Sequence, residues 1–138
     1  MPQKKNKIRD DTDFEIPFFE GILKRSPGFI EAMVSLGDLY TKKGLHEKGL
    51  KIDERLSYLK PNDPIVLYNL ACSYSLLKQI DKALEIVKRA IACGYNDFEH
   101  LQADGDLENL RKDTRFQSYY RQLKNEKSNH DGANREKQ

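Results

Sequence analysis

The groups in this 138-residue chain that could do chemistry are three histidines, two cysteines and a scatter of aspartates. His46, His100 and His130 lie far apart, and none has a partner at the spacing of a metal-ligand set or a nucleophile–base pair. The chain holds no HxxxH, CxxC or GxSxG, no phosphate-cradling glycine loop and no dinucleotide fingerprint. Residues 104–109, DGDLEN, carry aspartates of the kind found in calcium loops. They lack the glycine position and the distal bidentate glutamate, so they read as a capped turn. The sequence therefore predicts no enzyme, no metal and no cofactor. Cys72 and Cys93 fall on different predicted helices. Two cysteines are few for a secreted scaffold, and both read as reduced packing residues.

With no reactive centre, the informative question is what the apolar residues build. Pro64–Gly94 reads as two amphipathic helices joined by a short polar turn. Asp63 followed by Pro64 is a helix start: an oxygen-bearing cap, then proline where its missing N–H costs nothing. Leu67, Leu70, Ala71, Tyr74 and Leu77 recur at helical steps and form one apolar face. The pattern breaks at Lys78–Asp81 and restarts as Ala83, Leu84, Ile86, Val87, Ala90 and Ile91, until Gly94 stops it. Neither helix can bury its face alone.

A near copy lies 34 residues upstream. Leu67 answers to Met33, Leu70 to Leu36, Ala71 to Gly37, Tyr74 to Tyr40, Leu84 to Leu50 and Ile86 to Ile52, with Pro27 and Pro61 also in register. A helix–turn–helix repeated at this period means a solenoid. At SLGDLY (35–40) with Pro61, and at NLACSY (69–74) with Ala83, Ala90 and Gly94-Tyr95, the chain resembles the tetratricopeptide-repeat family. The resemblance covers about Ile30–Tyr95, and extends back to Asp13 as half a repeat. It implies an all-α fold: a right-handed α–α superhelix of about two and a half helix–turn–helix repeats plus capping helices. Met33 and Leu67 stand where the family often has tryptophan, and Asp53 where it often has an aromatic residue.

Composition agrees with a helical, non-membrane chain: 33% charged residues, 9% aromatics, and no apolar run near the ~20 residues a membrane helix needs. The net charge of +2 is uneven. Residues 1–10 carry +3, through Lys4, Lys5, Lys7 and Arg9 against Asp10; residues 121–138 carry +2, leaving the body at −3. Basic tails on an acidic body argue against a nucleic-acid-binding fold, which concentrates Lys and Arg on one face. No signal-peptide pattern opens the chain, and a cytoplasmic location is the expectation. The reading divides the chain into a disordered basic tail (1–12), one helical domain (13–124) and a disordered tail (125–138). Within the domain it places a half repeat (13–28), repeat one (29–61), repeat two (62–95) and a C-terminal cap (96–124). In the cap, Asp97, Asp106 and Asp113 each read as helix N-caps, with a final helix from about Thr114. Asp53 reads as a rim carboxylate paired with Arg55 or Arg89, or as a polar contact at a partner site.

In stacks of this family the first helix of each pair lines a concave surface where peptides lie. The resemblance therefore implies a groove formed by Glu31, Val34, Asp38 and Lys42 of repeat one and Ile65, Tyr68, Cys72 and Leu76 of repeat two, with Tyr68 as anchor. The second set is apolar for a solvent-facing stripe, so it either meets a partner or lies under the C-terminal helix that bears Phe116, Tyr119 and Tyr120. The family's clamp for chaperone-tail carboxylates is not matched. Asn69 fits, but Val34 and Asp38 stand where lysine and asparagine are needed, and an aspartate repels a carboxylate. The functional expectation is non-catalytic binding of a partner protein's peptide or helix, with no nucleic acid and no membrane. The alternative is a self-associating scaffold, a homo-oligomer stacked through incompletely covered ends.

Overall fold

The computed structural model describes residues 12–136, with side chains from Asp13 to Asn129. The basic segment 1–11, and the tail reading made for it, lie outside the described residues. The fold is all-α. Helices α1 (Thr12–Arg25), α2 (Ile30–Lys42), α3 (His46–Leu59), α4 (Pro64–Leu76) and α5 (Ile80–Ala92) stack as successive antiparallel neighbours. Short α6 (Phe98–Ala103), a 3₁₀ turn (Gly105–Leu107) and α7 (Glu108–Arg111) then lead into α8 (Thr114–Glu136). Among these helices none is long and apolar enough to cross a membrane.

The 34-residue period holds down to side-chain contacts. Tyr40 donates to Glu20 at 2.5 Å and Tyr74 to Glu54 at 3.2 Å. Arg55 reaches back to the Pro27 carbonyl at 2.6 Å, and Arg89 to the Pro61 carbonyl at 3.1 Å. Lys48 sits over the Tyr40 ring and Lys82 over Tyr74. The turns repeat as well: Leu45 N–H bonds Tyr40 C=O, and Gln79 N–H bonds Tyr74 C=O, each closing a helix end. Gly44 takes the left-handed backbone this closure needs, with φ +79°. Its counterpart Lys78 does so at φ +60°, against the preference of a residue with a Cβ.

The core falls into two clusters. The larger joins α4, α5 and the cap through Leu67, Leu70, Val87, Leu101, Leu107 and Leu110; the smaller joins α1, α2 and α3 around Met33, Leu36 and Leu56. Repeat two is therefore the better buried, because the cap closes its outer side. At the other end α1 has no preceding partner helix among the described residues, and Phe14 and Phe18 are exposed.

Two expectations for the cap are corrected. Asp97 and Asp113 accept from backbone N–H groups at helix starts, but the 3₁₀ turn is capped by Asp104, whose Oδ1 accepts from Asp106 N–H at 3.0 Å. Asp106 thus lies inside the turn. The final helix does not end near Lys124; it continues to Glu136. Residues 125–129 are polar and exposed, so this stretch of the helix is held by local backbone bonds and helix propensity rather than by burial.

Candidate functional site: an acidic concave groove

The inner faces of α2 and α4, the α3 segment between them, and the cap enclose a groove of about 410 Å³. Helix α2 contributes Val34, Gly37, Asp38 and Thr41, one face at helical spacing. Helix α4 contributes Tyr68, Asn69, Cys72 and Ser73, α3 adds Asp53 and Leu56, and the cap adds His100, Asp104 and Asp106. Four carboxylates line this space, and among the described residues no lysine or arginine does.

Asp53 is the least expected of the four. It is 7% exposed, and its Oδ2 accepts from Ser73 Oγ at 2.5 Å. Among the described residues its Oδ1 has no hydrogen-bond donor; it stands where a Cβ on Gly37 would come within 3.2 Å of it. Burial pushes the carboxyl up to about 6; the Ser73 hydrogen bond opposes this and the nearby Asp38 charge adds to it. Near neutral pH the floor of the groove therefore carries a largely buried anion, held by one protein hydrogen bond from Ser73. The rim pairing with Arg55 or Arg89 is corrected, because both arginines are engaged by proline carbonyls.

Asp104 is the hub of the far wall. Its Oδ2 accepts from Tyr68 Oη at 2.6 Å, from the Cys72 thiol at 3.8 Å, and lies 3.2 Å from His100 Nε2. Arg111 holds the turn by donating to the Leu101 and Asp104 carbonyls. Asp106 is raised by burial and by the neighbouring Asp104 charge, with His46 and His100 pulling the other way. Asp38 is exposed, and its 3.7 Å pair with Lys42 is a surface ion pair of small worth.

Of the eight sequence-predicted groove residues, Val34, Asp38, Tyr68 and Cys72 line the cavity. Glu31, Lys42, Ile65 and Leu76 do not: the first three are exposed elsewhere and Leu76 is half-buried. Tyr68 is not an accessible anchor. It is 4% exposed, its ring stacks flat on Tyr95 at 4.3 Å, and its hydroxyl is held by Asp104, so its proton is held well above the usual phenol range. Burial and the surrounding carboxylates likewise raise the Cys72 thiol, keeping it protonated. Cys72 and Cys93 are both free thiols.

Of the apolar stripe of α4, Tyr68 and Cys72 are buried while Ile65 stays exposed, and the direct cover is not the helix bearing Phe116 and Tyr120. The 3₁₀ turn and α7 lie directly on α4, and α8 packs outside them. Ser75 fastens this joint: its Oγ accepts from Leu110 N–H and its carbonyl from Asn109. What the sequence reading missed is the pairing of Asp53 with Ser73 and of Tyr68 with Asp104, 20 and 36 residues apart. The first pair had a signal. The same two slots hold Phe19 and Leu39 one period earlier, and Val87 and Leu107 one period later.

The family model for the tetratricopeptide repeat matches residues 65–92. The fold also superposes on a crystal structure of MamA with a TM-score of 0.61 at 20% identity, covering 80% of this chain and 67% of that one. Residues 65–92 thus match a tetratricopeptide repeat, set in an all-α stack of similar fold. A second solved structure, MamA residues 41-end from Desulfovibrio magneticus RS-1, gives 0.60 at 19% identity over 81% of this chain and 68% of that one. At such identities the likeness concerns the fold alone. Among curated proteins, this repeat chain is 34% identical over 87 residues to a chloroplastic protein of Arabidopsis thaliana, a match that covers 61% of the chain and 26% of that protein. It is 34% identical over 88 residues to a Coxiella burnetii protein named 7-cyano-7-deazaguanine synthase, covering 63% of the chain and 38% of that protein. The repeat chain thus spans a quarter to two fifths of the length of these relatives. Among its described residues no group of three or more His, Cys, Asp or Glu side chains could hold a metal ion.

Proposed function

We propose that this repeat chain is a non-catalytic interaction module whose concave groove receives a segment of a partner protein carrying a lysine or arginine. The observation behind this reading is the composition of the groove: Asp38, Asp53, Asp104 and Asp106 line one cavity with no lysine or arginine among the described lining residues. A cationic side chain reaching the floor would donate to Asp53 Oδ1, which no described side chain engages. Such charge-assisted bonds are short and strong in a partly dry site. The apolar stem of that side chain would lie along Val34 and Leu56. This replaces the Tyr68-centred anchor, since that ring is already packed. Neutral or acidic segments are disfavoured by uncompensated like charge.

The test is binding of a panel of short peptides of graded charge to the full chain, followed by amide chemical shifts. Cationic peptides should bind, weaken with salt, and move signals from Val34, Asp38, Thr41 and Asp106. Equal binding of acidic and basic peptides refutes the reading. A second reading, self-association, is favoured by one observation: Phe14 and Phe18 are exposed on the open end of the stack. It predicts a concentration-dependent sedimentation coefficient that falls to the monomer value in Phe14→Ser/Phe18→Ser.

A further inference from the structure

Resting on the self-association reading above and deepening it, we propose that α1 docks on α1 of a second copy in an antiparallel, two-fold pair, with Phe18 of each copy seated over Gly21 of the other. The 34-residue period says what α1 lacks. Phe18 occupies the slot of Ile52 and Ile86, which are each 8% exposed because the first helix of their own repeat packs against them. For Ile52 the seat is a small residue: its Cγ2 lies 3.4 Å from where a Cβ on Gly37 of α2 would stand. Among the described residues no helix covers α1 in this way, and Phe18 is 53% exposed. Helix α1 carries a small residue of its own. A Cβ at Gly21 would meet no atom within 4 Å, so the space above this stretch of backbone is open.

The seam is self-complementary. Phe14, Phe18, Gly21 and Arg25 follow one another at steps of four, three and four residues, so they form one stripe. Phe14, Phe18 and Arg25 are exposed along it. An antiparallel copy that brings Phe18 opposite Gly21 also brings Phe14 opposite Arg25, because the two pairs share one midpoint in the helix. The Arg25 guanidinium then lies on the Phe14 ring, a favourable cation–π placement. Charge selects the same direction. Asp13 and Glu15 stand in the first turn of α1, and Lys24 and Arg25 in the last. An antiparallel pair sets acidic ends beside basic ends and opposes the two helix dipoles, whereas a parallel pair sets like against like. Growth beyond two copies has no second face to use. Among the described residues no large hydrophobic side chain past Ile65 is exposed, so the cap end offers no matching apolar surface. One face meeting itself closes at a dimer. A single helix seam is a small interface, so its dissociation constant should be on the order of 10–100 μM.

The experiment is sedimentation velocity on the full chain, from well below to well above that range, with a thermal melt of each variant as the control for folding. The decisive variant is Gly21→Leu. It fills open space, favours the helix and makes the surface more apolar, so the monomer should melt no lower than wild type. The expected result is a monomer–dimer equilibrium for wild type, and a dissociation constant about tenfold higher or more for Gly21→Leu, because the seat for Phe18 is filled. Glu15→Lys should weaken the dimer roughly fivefold, and adding Arg25→Glu should recover most of that loss as opposite charges meet again across the seam. Arg25 is exposed and Glu15 half-buried, so this pair keeps the test readable even where Gly21→Leu disturbs the helix. Unchanged or tighter association of Gly21→Leu overturns the seam and leaves an unspecific apolar contact. Further weakening on adding Arg25→Glu overturns the antiparallel direction. In both cases self-association itself survives, whereas a wild type that stays monomeric throughout removes that reading together with this one. The groove reading stands or falls separately, on its peptide panel.

Discussion

Replacing Asp53 by asparagine should make the protein more stable at neutral pH, although it removes one partner of a buried hydrogen bond. The carboxyl is raised from 3.8 to about 6, chiefly by burial. The folded state thus holds this proton more tightly than the unfolded chain does. Between pH ~4 and ~6 the native state binds more protons, so stability falls as pH rises, and the full penalty is present above pH ~6.5. A shift of about two units corresponds to roughly 3 kcal/mol, of which about 2 kcal/mol develops between pH 4.5 and 7.5. Asparagine keeps an oxygen for the Ser73 hydroxyl and carries no charge, so the variant should gain about 2 kcal/mol at pH 7.5. For a domain of this size that is a rise in Tm of roughly 8 °C. At pH 4.5 the gain should shrink to about 0 kcal/mol, because the roughly 2 kcal/mol slope goes with the carboxylate. The assay is thermal unfolding followed by circular dichroism at both pH values. Asp106 is raised as well and will leave a residual slope. A variant no more stable than wild type at pH 7.5, or one retaining the whole wild-type slope, would refute the account of Asp53 as an anion destabilised by burial.

Three further substitutions probe the frame. Gly49→Ala should stabilise by about 1 kcal/mol, since helix propensity favours alanine; its Cβ would meet only ordinary contacts at 3.5 Å or more, and the equivalent slot already holds Ala83. Chemical denaturation checks it, with Gly37→Ala as the contrast, where the new methyl crowds Asp53 Oδ1 at 3.2 Å and should forfeit the gain. Lys78→Gly should stabilise by about 0.5–1 kcal/mol, read as a higher denaturation midpoint, by relieving a left-handed backbone at the slot that Gly44 fills one repeat earlier. Ser75→Ala should cost about 1–3 kcal/mol, because the buried Leu110 N–H loses its acceptor, and hydrogen exchange should quicken first in α7.

The helical stack was legible because its signals are local and repeated. Asp63-Pro64 starts α4 with its side chain bonding Ile65 and Val66 N–H groups, as the cap chemistry demands. Gly44 and Gly94 close helices with positive φ. The groove was legible only in part, because its chemistry depends on contacts between elements. Tyr68 looked like a free anchor from its place on α4, but Tyr95 and Asp104 bury it from outside the repeat register. Asp53 looked like a rim carboxylate beside two arginines, whose side chains instead reach back 28 residues to proline carbonyls. Helical periodicity says which face a residue occupies, and not which distant side chain it meets there. Asp104 could not be assigned from its neighbours either: in DGDLEN, which aspartate caps the turn depends on where the short helix before it stops.

The pairing of Asp53 with Ser73 gives the stack an address. Tyrosine–glutamate bonds, arginine–proline clamps and lysine–tyrosine contacts all recur with the same translation, so a unit shifted by 34 residues would find them all waiting. A copy of residues 28–61 spliced in after Pro61 would present its tyrosine to Glu54 and its arginine to the Pro61 carbonyl. Its Leu39 equivalent, however, would land against Asp53, and a buried carboxylate would face a hydrocarbon where it now meets a hydroxyl. The same penalty falls on any fold in which one repeat slips past its neighbour. A chain built from near-copies thereby carries a mark that tells the middle of the array from its ends.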